Sequence, residues 1–142
     1  MDVYNYLRSY DIKPSVQRIA IMQYLLEHKT HPCIDEIYSA LCTSIPTLSK
    51  TTVYNTLKLF TEHGAAQMLT IDERNACFDG DTSCHAHFLC RKCGRIFDFP
   101  LPLMERRATD ELNQTGFQTD ETQLYYKGLC PDCKKEESQE CN

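Results

Sequence analysis

The chain has 142 residues, room for one or two small domains, with 42% hydrophobic and 25% charged residues and no Trp. No apolar run reaches the length of a membrane span, and the first fifteen residues lack the basic start and apolar core of a secretory signal, so a cytoplasmic protein without a membrane partner is expected. Thiols stay reduced there, and nine cysteines, an odd number, then point to metal ligation over a disulfide framework.

The net charge of −5 is unevenly spread. Residues 1–70 carry six Lys/Arg against six Asp/Glu, whereas residues 71–142 carry nine against fourteen. A nucleic-acid surface on the first half would therefore be a local patch and not a global field.

The first half reads as helices. Pro14 and Ser15 open a segment with Val16, Ile19, Ala20, Met22 and Leu26 at roughly helical spacing, ending near 28–30. Thr30-His31-Pro32 resembles a cap followed by Pro in the first turn, and Ile34, Ile37, Tyr38 and Leu41 follow at i, i+3, i+4, i+7. Ser49 is an N-cap for a third helix over about 50–62, with Val53, Leu57 and Phe60 on one face and Gly64 as its stop. Residues 65–70 and 75–79 flank Ile71-Asp-Glu-Arg74 as a short hairpin. Three helices and a hairpin predict a winged helix-turn-helix.

Asp79 leads into a polar hinge at 81–84. Strands are expected near 86–90 and 95–99, a helix over about 102–115 ended by Gly116, and a strand near 117–127. The tail, 136–142, is polar and expected to fray. The domains are thus 1–80 for DNA binding, 81–84 as hinge and 85–135 for dimerisation and metal binding. The fold class is α+β: a winged helix followed by a small α/β domain with a structural zinc site.

The outer face of the third helix shows Lys50, Thr51, Thr52, Tyr54, Asn55 and Lys58, and no acid lies between Thr47 and Thr61. Lysines and hydroxyls can hold phosphates, and Asn can bond adenine at two points in the major groove. A solvated helix face is the plainer alternative, and the modest charge favours a dimer reading two half-sites.

Cys90-x-x-Cys93 and Cys130-x-x-Cys133 are two thiolate pairs on tight turns, a ligand set for a closed tetrahedral structural Zn2+. Reduced or redox-active thiol pairs are the alternative. His85 and His87 stand at i, i+2 on a predicted strand, so their imidazoles share a face. Asp98 on the neighbouring strand and Asp79 in the preceding segment are carboxylates that can join them. Imidazole with carboxylate suits iron, manganese or zinc, although a lone His-x-His is often incidental.

The order of Gln17-Arg18, His31-Pro-Cys-Ile-Asp-Glu-Ile-Tyr38, Thr51-Thr-Val-Tyr-Asn-Thr-Leu57, His85-Ala-His87, Cys90-Arg-Lys-Cys93-Gly and Cys130-Pro-Asp-Cys133 resembles the ferric uptake regulator superfamily of metal-dependent repressors, from about Tyr6 to Cys133. The resemblance implies a homodimer that binds double-stranded DNA at A·T-rich palindromic operators. It implies a regulatory Fe2+ or Mn2+, with Zn2+ as a third candidate, on His31, Asp79, His85, His87 and Asp98. It adds Lys13 and Arg18 as backbone or minor-groove contacts beside Tyr54 and Asn55.

Asp98 resembles the peroxide-sensing branch, in which Fe(II) activates hydrogen peroxide and a ligand such as His31 or His85 is oxidised. The further His-rich site of iron-uptake regulators looks absent: Cys84 and Ala86 flank the histidines, and Glu121–Lys127 holds no His. Cys33, Cys77 and Cys84 depart from the pattern and keep a zinc- or iron-uptake repressor as the alternative. Cys42 reads as a helix residue, while Cys141 has no assigned role. A metal-storage or chaperone protein would leave the helical half without a purpose. An enzyme acting on a small-molecule substrate is not expected, since no general base is placed beyond the ligands.

Overall fold

The structure, a computed structural model, describes residues 2–72, 75–83 and 85–138 in full and the backbone of 139–140. The expected hairpin-turn residues Glu73 and Arg74, the hinge residue Cys84, and Cys141 and Asn142 lie outside the described residues. The chain divides into two compact units, residues 1–82 and 83–142.

The first unit holds one helix more than the sequence pattern predicts. Helix α1 (Val3–Ser9) is capped by Asp2, whose carboxylate accepts from the backbone N–H groups of Tyr4 and Asn5. Helix α2 (Val16–Glu27) starts at Ser15, whose hydroxyl accepts from the Arg18 N–H at 3.2 Å. Its buried face is Ile21, Met22 and Leu25, and Val16 is exposed instead of inward. Helix α3 (Ile34–Leu41) begins later than expected: Cys33 occupies the N-cap, so His31 and Pro32 precede the helix. Helix α4 (Lys50–Glu62) has the anticipated bounds, with Ser49 accepting from the Thr52 N–H and Gly64 at φ +78° just past its end. A left-handed residue there is what a Gly at C′ supplies at little steric cost.

Val53, Leu57 and Phe60 of α4 are fully buried against Leu7, Ile21, Met22, Leu25 and Ile37. Burying each such side chain stabilises by about 1.5–3 kcal/mol, so this four-helix core sets the unit's stability. Strands β1 (Gln67–Leu69) and β2 (Cys77–Asp79) pair antiparallel with Gln67 opposite Asp79, forming the wing. On its other side β2 is bridged by Cys33.

The second unit is a three-stranded sheet in the order β4-β3-β5. Strand β3 (His85–Cys90) lies antiparallel to β4 (Ile96–Pro100) and parallel to β5 (Leu124–Gly128). Helix α5 (Leu103–Gln114), followed by Gly116 at φ +98°, makes the crossover between β4 and β5. The expected strand over 117–127 is shorter, because the polar stretch 118–123 carries no alternating apolar face to bury. The tail is helical where fraying was expected: α6 (Pro131–Glu140) has Pro131 at its first position, where a missing N–H costs nothing. At the end of β5, a side chain on Gly128 would meet the Phe88 ring at 3.3 Å.

Hydrocarbon burial in this unit is thin. Among the described residues, one buried cluster is Cys90, Cys130 and Cys133, with Phe97 and Leu129 packed against it. Helix α5 buries none of its described side chains within the chain, and Leu103, Met104, Leu112 and Phe117 stay exposed. No helix among the described residues is long and apolar enough to cross a membrane.

Replacing Phe60 by Ala is expected to cost about 3–5 kcal/mol. That is a large part of a small domain's stability of about 5–15 kcal/mol, and urea unfolding monitored by circular dichroism measures it.

Candidate metal centres and nucleic-acid interface

The four-cysteine set is assembled by two strand ends, one tight turn and a helix start. Cys90 closes β3, and the turn to Cys93 is folded back by the Gly94 N–H donating to the Cys90 carbonyl at 2.9 Å. Gly94 sits at φ +78°, which this knuckle needs. Cys130 follows β5, and Cys133 lies in the first turn of α6. One sulfur from each lies within 4.8 Å of all the others, and the Cys93–Cys130 Sγ separation is 3.9 Å. A tetrahedron of Zn–S bonds of about 2.3 Å has edges of about 3.8 Å, so the donors fit zinc.

The electrostatics favour thiolate on one side of this cluster. Backbone hydrogen bonds around Cys93 and Cys130 hold the Cys90 thiol down to about 6. Arg95, which sequence reasoning missed, lowers Cys93: its guanidinium donates to Cys93 Sγ at 3.4 Å and to Cys130 Sγ at 3.6 Å, and it also pairs with Asp132. Burial and then the neighbouring thiols push Cys133 up to about 12. The signal for Arg95 was its place one residue beyond the Cys-x-x-Cys-Gly knuckle, within reach of the sulfurs.

The imidazole and carboxylate residues form two groups, one in each unit. In the first, His31 Nε2 lies 3.3 Å from Asp79 Oδ2, and both side chains are buried. His31 has φ +59°, a backbone state uncommon for a residue with a side chain and concentrated at functional sites. Asp79 ends β2, and its Oδ1 accepts from the Asp81 N–H at 2.9 Å. In the second group, His87 and Asp98 are direct cross-strand partners. Asp98 Oδ1 is 3.3 Å from His87 Nε2 and 3.5 Å from His85 Nε2, and the two rings lie 4.3 Å apart.

His85 is oriented by a contact the sequence does not announce. Its Nδ1–H donates to the Ser83 carbonyl at 2.7 Å, which leaves Nε2 as the lone pair facing Asp98. Two imidazoles and a carboxylate are a common ligand set for ferrous iron. Cys77 is a poor thiolate beside Asp79: burial, then the Asp72 carboxylate, push its thiol up to about 11.

Helix α4 exposes Lys50, Thr51, Tyr54, Asn55 and Lys58, with Thr52 half-buried. Lys13, Arg18, Thr52 and Asn55 line one open groove of about 570 Å³ between the start of α2 and α4, with Ser15 and Gln17. Arg18 Nη1 donates to the Lys13 carbonyl at 2.8 Å, which fixes the guanidinium at that groove. Lys50 points to α3 instead, pairing with Asp35 at 3.2 Å and lying 5.7 Å from the Tyr38 ring centre. Both partners are exposed, so the pair is worth at most about 1 kcal/mol and yields readily to a phosphate.

A winged helix followed by an α/β unit with a four-cysteine centre, and a His/Asp group in each unit, defines a class of metal-binding fold. The sequence pattern of the Ferric uptake regulator family matches residues 9–127, and the chain belongs to that family. It is 36% identical to the peroxide-responsive repressor PerR of Staphylococcus epidermidis, over 92% of this chain and 87% of that one. It is also 36% identical to the peroxide operon regulator of Bacillus subtilis, over 93% and 91% of the two chains. Among solved structures, the ferric uptake regulator of Pseudomonas aeruginosa with manganese superposes with a TM-score of 0.76 at 24% identity, covering 92% of this chain and 99% of that one. PerR from Streptococcus pyogenes, solved for peroxide sensing and gene regulation, gives 0.52 at 32% identity, covering 93% and 90%.

The thiols differ in their readiness to bind zinc. The depressed value of Cys90 means its thiolate is present at pH 7 and is lost as pH falls through about 6. Because Cys90 is already largely thiolate at pH 7 while Cys133 is held protonated, zinc binding is expected to release protons from the set, read as a fall in pH in weakly buffered solution. Cys130→Ser should abolish zinc binding and unfold the second unit, because structural zinc supplies about 10–16 kcal/mol of folding free energy.

Proposed function

We propose that the chain is a metal-dependent DNA-binding transcriptional repressor that senses peroxide. In this reading residues 1–80 bind DNA, 81–84 are a hinge, and 85–135 bind metal and dimerise. One regulatory ion, Fe2+ or Mn2+, is shared by His31 and Asp79 of the first domain and His85, His87 and Asp98 of the second. The observation that carries it is the division of donors. Each unit presents a preformed but incomplete His/Asp group, two donors in one and three in the other, each with a buried imidazole. Together they offer five donors, a set of imidazoles and carboxylates that would suit Fe2+ or Mn2+.

Bound iron supplies the redox chemistry that activates peroxide. The chain's own residues do the rest. The Ser83 carbonyl holds His85 with Nε2 inward, the His87–Asp98 pairing fixes the second imidazole, and β2 presents Asp79 to His31. Oxidation of His31 or His85 removes a donor and weakens the link between the domains. In a two-fold dimer that link sets the spacing of the two α4 helices, so metal occupancy gates DNA affinity.

The dimer is supported by the exposed apolar side chains of α5 and Phe117, a surface a lone subunit leaves in water. The DNA surface is the groove of Lys13, Arg18, Thr52 and Asn55, with Tyr54, Thr51 and Lys50 beside it, on A·T-rich palindromic operators. The protein acts by binding in the cytoplasm, where its many thiols remain reduced.

Two measurements test this. On an A·T-rich palindromic duplex, Mn(II) or Fe(II) should produce metal-dependent retardation. Stoichiometric peroxide should abolish it for the iron form and spare the manganese form. Iron-loaded protein that keeps its operator affinity after peroxide would overturn peroxide sensing and leave an iron- or zinc-uptake repressor, whereas metal binding without retardation would indicate a storage or chaperone role. In the second, Lys13→Ala and Arg18→Ala should weaken binding to all sequences and each reduce the salt slope by about one. Asn55→Ala should relax base preference at one position by about 1–3 kcal/mol, measured by fluorescence anisotropy.

A further inference from the structure

Cys33 and Cys77 belong to neither ligand set, yet the fold pairs them. They are partners in an isolated antiparallel bridge between the segment leading into α3 and strand β2. Beside them the Phe78 N–H donates to the Pro32 carbonyl at 3.0 Å. A bond from the residue after one partner to the carbonyl before the other marks a non-hydrogen-bonded pair. In such a pair the Cα atoms lie about 4.5 Å apart and the side chains leave on the same face. That separation falls within the range of about 4.4–6.8 Å that disulfides span, so the backbone already sits at bonding distance.

The two thiols differ in access. Cys33 is half-exposed at the N-cap of α3, and its S–H donates to Glu36 Oε1 at 3.7 Å. Cys77 is only 7% exposed, and its S–H donates to the Asn75 carbonyl at 3.8 Å. Two residues before Cys33 and two after Cys77 stand His31 and Asp79, themselves in contact at 3.3 Å.

We propose that Cys33 and Cys77 form a peroxide-oxidisable dithiol–disulfide pair, with Cys33 meeting the oxidant and Cys77 resolving it. The Cys33 sulfur attacks hydrogen peroxide: an S–O bond forms, the O–O bond breaks, and one water leaves. The Cys77 sulfur then attacks the Cys33 sulfenic acid: an S–S bond forms, the S–O bond breaks, and a second water carries off the remaining thiol proton. Two thiols and one peroxide thus become one disulfide and two waters, and a reducing thiol restores the pair. Transient disulfides of this kind are the form expected in a reducing compartment. The bond would tie the His31 segment to β2. It needs no metal, so it is independent of the iron reading.

The test uses the full-length, zinc-loaded, iron-free chain. It is treated with stoichiometric hydrogen peroxide, quenched with iodoacetamide, digested without reductant and analysed by mass spectrometry. The expected product joins the Cys33 and Cys77 peptides, lighter by two hydrogens, with zinc still bound, and dithiothreitol releases it. Cys33→Ser and Cys77→Ser should each abolish the link, and Cys42→Ser should leave it unchanged. Recovery of both cysteines fully alkylated, of Cys33 as sulfinic acid, or of Cys33 bonded to a different cysteine would overturn the proposal. So would protection of both thiols that a chelator reverses and dithiothreitol does not, since that would make them a metal site.

Discussion

The parallel pairing that sets Cys90 opposite Gly128 is the contact on which the second unit depends. It brings the end of β3 beside the end of β5, so that Cys90 and Cys130 start from adjacent strands and the turn to Cys93 and the first turn of α6 supply the other two sulfurs. Among the described residues, the buried members of the cluster there are three of the cysteines themselves, with Phe97 and Leu129 against them. The same strand β3 carries His85 and His87 at its other end. The geometry of the imidazoles therefore rests, through one central strand, on sulfurs at the opposite end of that strand.

The first unit positions its donors by a different device. Its core is ordinary helix packing, but the segment between α2 and α3 turns through a left-handed residue at His31 and then runs alongside β2. Strand β2 is thereby central in the wing, paired to β1 on one side and to Cys33 on the other. That arrangement sets His31 against Asp79 and, one pair along, Cys33 against Cys77. A residue held at positive φ costs free energy that only the surrounding structure can offset, and here the offset comes from the pairing with β2.

Where the physics was local, it could be read from the sequence. Helix α4 declared itself through Ser49, the spacing of Val53, Leu57 and Phe60, and Gly64. The facing of His85 and His87 followed from the two-residue period of a strand, and Asp98 from the shortness of the hairpin. Helix α1 escaped notice because it buries one residue, Leu7, and owes its start to Asp2. Helix α6 escaped because its polar composition hides an anchor that lies in Cys133 and not in a hydrophobic stripe. The Cys33–Cys77 pairing joins segments more than forty residues apart, and the Ser83 carbonyl acts through backbone alone. Neither leaves a mark in side-chain pattern.

The fit of Phe88 over Gly128 has a further consequence. Sliding β5 by one residue would turn every side chain to the opposite face and displace Cys130 by about 3.3 Å, more than the length of a zinc–sulfur bond. A misregistered sheet cannot then close the tetrahedron. The four sulfurs thus converge in one alignment of β5 on β3, and zinc binding reports that alignment.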